Sequence, residues 1–243
     1  MHKIARRLAG RAKRQILKLF SLDRFLKDCS GVIHVGANSG QERHLYAQHR
    51  LPVVWIEPLD AAFKSLLMNI GNLPDQTAIK ALITDRDGDR HVLHIASNEG
   101  ESSSILDFSQ GHIDIWPDIN YVDKVEVQSS TLPTALAGTD WAACNALVLD
   151  TQGTELLILK GAEPILKHFK YIKTEAADFK VYKDCATEKE LCRFLAAHGF
   201  MLRRKEIFAK HPNGGTCSDL LFKKVGSGVS RFLNPRRVVR SPS

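Results

Sequence analysis

Gly36, Asn38, Gly40, Glu57, Asp150 and Glu175 are the residues of this 243-residue chain whose types and spacing could do chemistry together. Gly36 and Gly40 lie in VIHVGANSGQE, where an apolar run meets a helical pattern. Without a Cβ, they let the backbone turn sharply and pass close to a ligand. Asn38 between them tolerates a left-handed turn and offers an amide. Glu57 closes PVVWIEP, 21 residues after Gly36, and an acid at that spacing can accept both hydroxyls of a ribose. Asp150 ends ALVLD and Glu175 ends YIKTE, so each acid stands at the carboxyl end of a strand, the edge where such sheets bind ligands. His94 and His112 border a long polar loop and are further candidate bases. Each has a plainer reading: a purely structural turn, Asp150 as a helix N-cap, Glu155 as an ordinary first-turn acid, solvent-exposed histidines.

Two nucleotide motifs are excluded. In the dinucleotide fingerprint GxGxxG read from Gly36, Asn38 and Gln41 stand at the second and third glycines, which leaves a pyrophosphate less room and argues against NAD or FAD. No GxxxxGK[ST] occurs, so there is no P-loop.

The elements that must position these residues alternate. Strands are expected at 31–36, 52–58, 77–84, 91–96, 124–128, 146–150 and 171–175, and helices at 41–50, 60–70 and from 153 onward. Thr187 with Glu190 forms a capping box opening a helix that runs to Ala197, and Gly199 ends it. MLRRKEIF and SDLLFKK, joined through HPNGG, read as an antiparallel hairpin. Such alternation gives a mostly parallel sheet covered on both faces, with one antiparallel strand from the hairpin. Residues 97–121 lack a clear period and read as a binding or lid segment.

The charge is unevenly distributed. Of the net +7, residues 1–28 carry +7 and residues 225–243 carry +4, which leaves the body at about −4. A mildly acidic body argues against nucleic acid as partner, because phosphate binding needs clustered cations. Ile4, Leu8, Ala12, Ile16 and Phe20 recur at every fourth position between basic residues. They make residues 1–28 a basic amphipathic helix, for packing on the domain or for peripheral contact with a membrane surface; a mitochondrial presequence is a third reading. The Gly/Ser/Pro/Arg-rich 225–243 reads as a disordered tail, so the domain spans 29–224. No signal peptide or transmembrane run is expected. Five irregularly spaced cysteines fit neither a disulfide framework nor a zinc site and suit a reducing, cytoplasmic compartment, with membrane association as the variant.

VIHVGANSGQE, the acidic end of PVVWIEP and above all LVLDTQGTELLILKGA (147–162) resemble the FkbM family of S-adenosylmethionine-dependent methyltransferases. YIKTE and Gly199-Phe200 also fit, and the resemblance covers roughly residues 30–223. It implies a Rossmann-like class I methyltransferase fold with a seven-stranded sheet, S-adenosyl-L-methionine as cofactor, and methyl transfer, usually to oxygen; no metal-ligating residues are singled out. By the same resemblance, Gly36, Ala37, Asn38 and Gly40 contact the methionine part, Glu57 the ribose, and Ala81 with Leu82 the adenine. Ser103 and Ser104 match a serine pair that faces the cofactor. His34 stands where many methyltransferases carry Asp, and is counted with the cofactor residues.

The function expected is O-methylation of a hydroxyl on a sugar, polyketide or other small or lipid-linked acceptor, with Asp150 as base and Glu175 orienting the acceptor. N-methylation is the nearest enzymatic rival, but no NPPY-like motif is present. A catalytically inactive nucleoside-binding or scaffold protein of the same fold is the alternative from another class, and a dehydrogenase is third.

Overall fold

The computed structural model describes residues 22–225. The readings of residues 1–21 and of the tail beyond 225 lie outside the described residues. The end of the basic N-terminal segment is described: Leu22–Asp28 is a short 3-10 helix that buries Leu22, Phe25 and Leu26. Those side chains join one of the two core clusters.

Seven strands form the main sheet: β1 (Val32–Val35), β2 (Val53–Ile56), β3 (Gln76–Ile79), β7 (Ala146–Leu149), β8 (Tyr171–Ala177), β9 (Phe200–Lys210) and β10 (Thr216–Lys224). Their spatial order is β3-β2-β1-β7-β8-β10-β9. β1 pairs in parallel with both β2 and β7, and β7 with β8, whereas β10 is antiparallel to β8 and to β9. A single antiparallel strand follows from the tight HPNGG connection, as expected. A smaller sheet holds β4 (Leu82–Ile83), β5 (Arg90–Ala96) and β6 (Tyr121–Ser130) in the order β4-β6-β5.

The central strands are buried on both faces. Ile33, Val35, Val54, Ile56, Leu147 and Leu149 point into one core cluster, while Val32, Val53, Trp55, Ala146 and Val148 point into the other. This is the period-2 alternation of strands sandwiched between helices. The first cluster is closed by α5 (Glu155–Gly161) and α7 (Glu188–Ala197), the second by α2 (Asp60–Ile70) and the N-terminal 3-10 helix.

Three expectations are corrected. The single strand read at 77–84 is two: β3 stops at Ile79, and Leu82–Ile83 leaves the main sheet to pair with Ser129–Ser130 of β6. The helix after residue 154 breaks at Gly161 and resumes as α6 (Glu163–Leu166), with Pro164 in its first turn; proline lacks the N–H an uninterrupted helix would need. The irregular stretch 97–121 contains α3 (Gln110–Ile115), started by the Ser109 hydroxyl accepting from Gly111 N–H. Two short helices complete the set, α1 (Arg43–Gln48) and α4 (Leu132–Leu136). The capping box at Thr187 and Glu190 is present, as read. No helix among the described residues is long and apolar enough to cross a membrane.

Candidate active site

β1 lies between strands reached by chain running in opposite directions, β2 and β3 on one side and β7 and β8 on the other. The crevice beyond its carboxyl end is the topological switch point where this fold class binds ligands. Gly36 follows β1 directly, with φ +81°, and a Cβ there would run into the backbone carbonyl of Asp150. Only glycine lets the turns after β1 and β7 approach this closely. Asn38 is also left-handed, at φ 43°. Gly40, at φ 75°, closes a tight turn by donating to the Ala37 carbonyl at 2.8 Å.

Glu57 binds this turn to the next strand. One carboxylate oxygen accepts from Asn38 N–H and the other from Leu59 N–H, each at 2.8 Å. The side chain is buried, and burial pushes its acid up to about 7 although both backbone hydrogen bonds pull it down. A small compartment of about 60 Å³ adjoins it, bordered by Gly36, Asn38, Glu57, Ala81, Leu82, Ser103 and Ser104. Six of the ten expected cofactor residues thus face one space together with Glu57.

The segment 98–104 straps this compartment. Ser104 Oγ donates to the Gln152 carbonyl at 2.8 Å, and Ser103 Oγ accepts from Ala96 N–H at 3.0 Å. Asn38 and Gln41 reach the strap through the Glu99 carbonyl and the Glu101 carboxylate.

On the other side of Gly36 opens a cleft of about 560 Å³, a size typical of small-molecule sites. Asp150 and Glu175 both line it, delivered by the neighbouring strands β7 and β8. Asp150 Oδ1 accepts from Gln152 Nε2 at 2.6 Å, and Tyr182 OH donates to Gln152 Oε1 at 2.7 Å. Gln152 is held in a left-handed conformation, φ 55°. Burial pushes Asp150 up to about 7, Gln152 opposing and the charges of Glu155, Glu42 and Asp219 adding. Glu175 is held well above the usual carboxylate range by burial and then by Asp150.

Glu155 takes the role read for Asp150. Its Oε1 accepts from the N–H groups of Thr151 and Gly153 at 3.1 Å and from the Thr151 hydroxyl at 3.3 Å. It stands in the first turn of α5, as read, and is buried there. It satisfies the orphan donors ahead of α5, and Asp150 is left to the cleft.

Of the other residues singled out, His34 points to the second core cluster and borders neither space. Its Nδ1 pairs with Tyr46 OH at 3.0 Å, its ring stacks on Trp55 at 5.4 Å, and burial lowers its basicity. It lines a separate chamber of about 200 Å³ behind Asp150 and Glu175, shared with Lys173 and Asp219. Ala37 is buried in the same core cluster, and Gly40 packs against Leu66; both shape the turn from behind. His94 lies outside the cleft, 3.8 Å from Asp107 and stacked on Tyr121. His112 lines the cleft, buried on Phe108 at a ring separation of 3.6 Å. Burial holds it down to about 4, which makes it a neutral ring at pH 7 and too weak a base for proton abstraction.

Gln152, Tyr182, Trp116 and Glu42 complete the cleft and were not read from the sequence. Gln152 has a local signal, two residues beyond a strand-ending acid and just before Gly153. Tyr182 has none, because it arrives through a bridge to Phe108 across 74 residues of chain.

Methyltransferase FkbM domain is the family whose sequence pattern matches, over residues 34–202, more than half of the chain. The chain belongs to the FkbM methyltransferase family. No curated protein sequence matches it. Among solved structures, this FkbM domain resembles magnesium protoporphyrin IX methyltransferase from Synechocystis PCC 6803, with 9% identity, 80% of this chain and 69% of the other covered, and a TM-score of 0.45. It also resembles a SAM-dependent methyltransferase from Aquifex aeolicus (11%, 87% and 89%, 0.44) and the 1,6-didemethyltoxoflavin-N1-methyltransferase of Burkholderia thailandensis (10%, 93% and 90%, 0.43). Likenesses this distant carry no argument about chemistry, which rests on the family and on the site's own geometry.

Proposed function

We propose that this FkbM domain transfers a methyl group from S-adenosyl-L-methionine to a hydroxyl oxygen of a small or lipid-linked acceptor. The observation that carries the reading is the junction of two spaces at Gly36, Asn38 and Asp150. One space has a carboxylate suited to ribose hydroxyls and an apolar border of Ala81, Leu82 and Ile83 suited to adenine. The other has a pair of carboxyl groups.

The donor set fits the cofactor. Glu57 has spent one lone pair of each oxygen on backbone N–H groups, and a carboxylate has about four such sites. The remaining sites suit two ribose hydroxyls. At about 60 Å³ the nucleoside compartment is far below the ~300 Å³ of a typical ligand site, so accommodation of a nucleoside requires the 98–104 strap to move outward. S-adenosyl-L-methionine supplies the electrophile, a methyl group on a sulfonium.

The chain's own residues supply alignment and a proton acceptor. An aliphatic hydroxyl is a poor nucleophile, so a positioned base assists its attack. Asp150 carries out that task in its ionised form, with Gln152 and Tyr182 fixing the carboxylate. Glu175, whose acid burial and the neighbouring Asp150 hold well above the usual carboxylate range, orients the acceptor. Two carboxyl groups of unlike environment can in this way divide acid and base roles. Positioning alone is worth several kcal/mol, out of the ~7–11 available to well-oriented intramolecular reactions.

Tritiated S-adenosyl-L-methionine, incubated with the protein and a fractionated extract, tests the reading. Label should enter a small or lipid-extractable product as an ether stable to mild base. Label on nitrogen would replace O-methylation with N-methylation. No transfer from any fraction, with cofactor bound, would favour the inactive nucleoside-binding alternative.

A further inference from the structure

The cleft beyond Asp150 has a one-sided charge. Glu42, Glu101, Asp150, Glu155 and Glu175 border it, and no Lys or Arg does so among the described residues. The nearby cations are engaged elsewhere. Lys173 pairs with Asp23 and Asp219 on the far side, Lys180 with Glu190, and Lys183 with Asp107. The backbone donors ahead of α5, which in other proteins hold phosphate groups, are already taken by the carboxylate of Glu155.

The rest of the wall is uncharged: Asn38, Gln41, Asn98, Ser102 and Gln152 are its polar part, and Trp116, Ile119, Val181, Tyr182 and Phe208 form an apolar, largely aromatic part. Phe208 is half exposed at the mouth. His112 belongs to this wall, only 1% exposed, and neither of its ring nitrogens has a hydrogen-bond partner. A buried polar ring left unpaired beside a cleft is costly unless something completes it. Held neutral, the ring offers one donor and one acceptor, and a hydroxyl can complete either, whereas an anion can use only the donor.

We propose that the methyl acceptor bears no phosphate, carboxylate or sulfate, and is an uncharged hydroxylated compound with an apolar ring or chain. Its apolar part packs on Trp116, Tyr182 and Phe208 while its hydroxyl reaches Asp150 and Glu175. An anionic acceptor would bring a further negative charge beside these acids with no Lys or Arg among the described residues to receive it, which like-charge repulsion and lost hydration both oppose. This inference rests on the methyltransferase reading above.

A matched pair of probes tests it: tyrosol and 4-hydroxyphenylacetate share a ring, a phenol and a two-carbon arm, and differ in whether the arm ends in a hydroxyl or a carboxylate. The full chain is first titrated with S-adenosylhomocysteine by calorimetry, then saturated with it and examined by saturation-transfer NMR at pH 8. Tyrosol should give transfer, and 4-hydroxyphenylacetate should bind at least about tenfold more weakly. Trp116→Ala should weaken tyrosol by a similar factor, with circular dichroism verifying the fold. Equal binding of both probes, no transfer to tyrosol, or tyrosol binding indifferent to Trp116→Ala would each overturn the inference. Failure of S-adenosylhomocysteine to bind in the first step would instead remove the functional reading beneath it.

Discussion

Asp150 meets two opposed demands in one side chain. Burial that holds its acid up to about 7 makes it a stronger base when ionised, yet costs the folded protein stability at the pH where it works. The sign follows from proton binding: between about pH 4 and pH 7 the folded state holds a proton that the unfolded state has released, so stability falls as pH rises through that window. Asp150→Asn keeps an oxygen to accept from Gln152 and removes the charge. Its Tm at pH 8 should exceed the parent's, and the gain should vanish below about pH 4. Methyl transfer should fall by about 10²–10⁴-fold, and the parent's own rate should decline as pH drops below about 7. Near-normal turnover in Asp150→Asn would remove Asp150 as base. At this scale the acids were legible from a local pattern: Glu57 and Asp150 directly follow apolar strands, and Glu175 lies two residues before the end of β8. The division of labour between Asp150 and Glu155 was not, because either acid suits a helix start and only the folded turn decides which one accepts from Gly153.

The elements that position the site are held by close approach, and the tightest point is the turn after β1. Gly36→Ala must place a methyl group against the Asp150 carbonyl at a φ of +81°. Left-handed strain of about 1–2 kcal/mol and overpacking of about 1–3 kcal/mol add, so denaturant melts should show a loss of about 2–5 kcal/mol. A loss under ~1 kcal/mol would mean that the two turns are not packed as described. Strands whose apolar runs are bounded by turns were readable, as were the capping box at Thr187 and the closing hairpin. The departures have physical causes that leave no local periodicity. Leu82–Ile83 exchanges sheets because Ser129–Ser130 of β6, 47 positions along the chain, offers it a parallel partner. The helix in 110–115 is a single capped turn and a half, too short for its pattern to stand out among polar residues.

Over the whole chain, charge and chemistry are segregated. The body, at about −4, carries the acidic cleft, and +11 lies outside residues 22–225. Because Leu22, Phe25 and Leu26 belong to the core, truncation to 22–225 keeps these core side chains while removing the +11. The full chain should co-sediment with anionic vesicles at low salt and be released at high salt, since surface attraction is screened within a Debye length of about 10 Å at 0.1 M. The truncated body should not sediment. A full chain that never sediments with anionic lipid would rule out the membrane-surface reading of the N-terminal segment.

Calorimetric titration with S-adenosylhomocysteine and with NAD, on the parent and on Glu57→Ala, tests the central claim most directly: a nucleoside held by Glu57 at the turn after β1. S-adenosylhomocysteine should bind the parent while NAD does not, and Glu57→Ala should weaken it by about 1.5–3 kcal/mol, the worth of hydrogen bonds to a charged acceptor. Unchanged affinity in Glu57→Ala, or NAD binding as tightly as S-adenosylhomocysteine, would contradict the account.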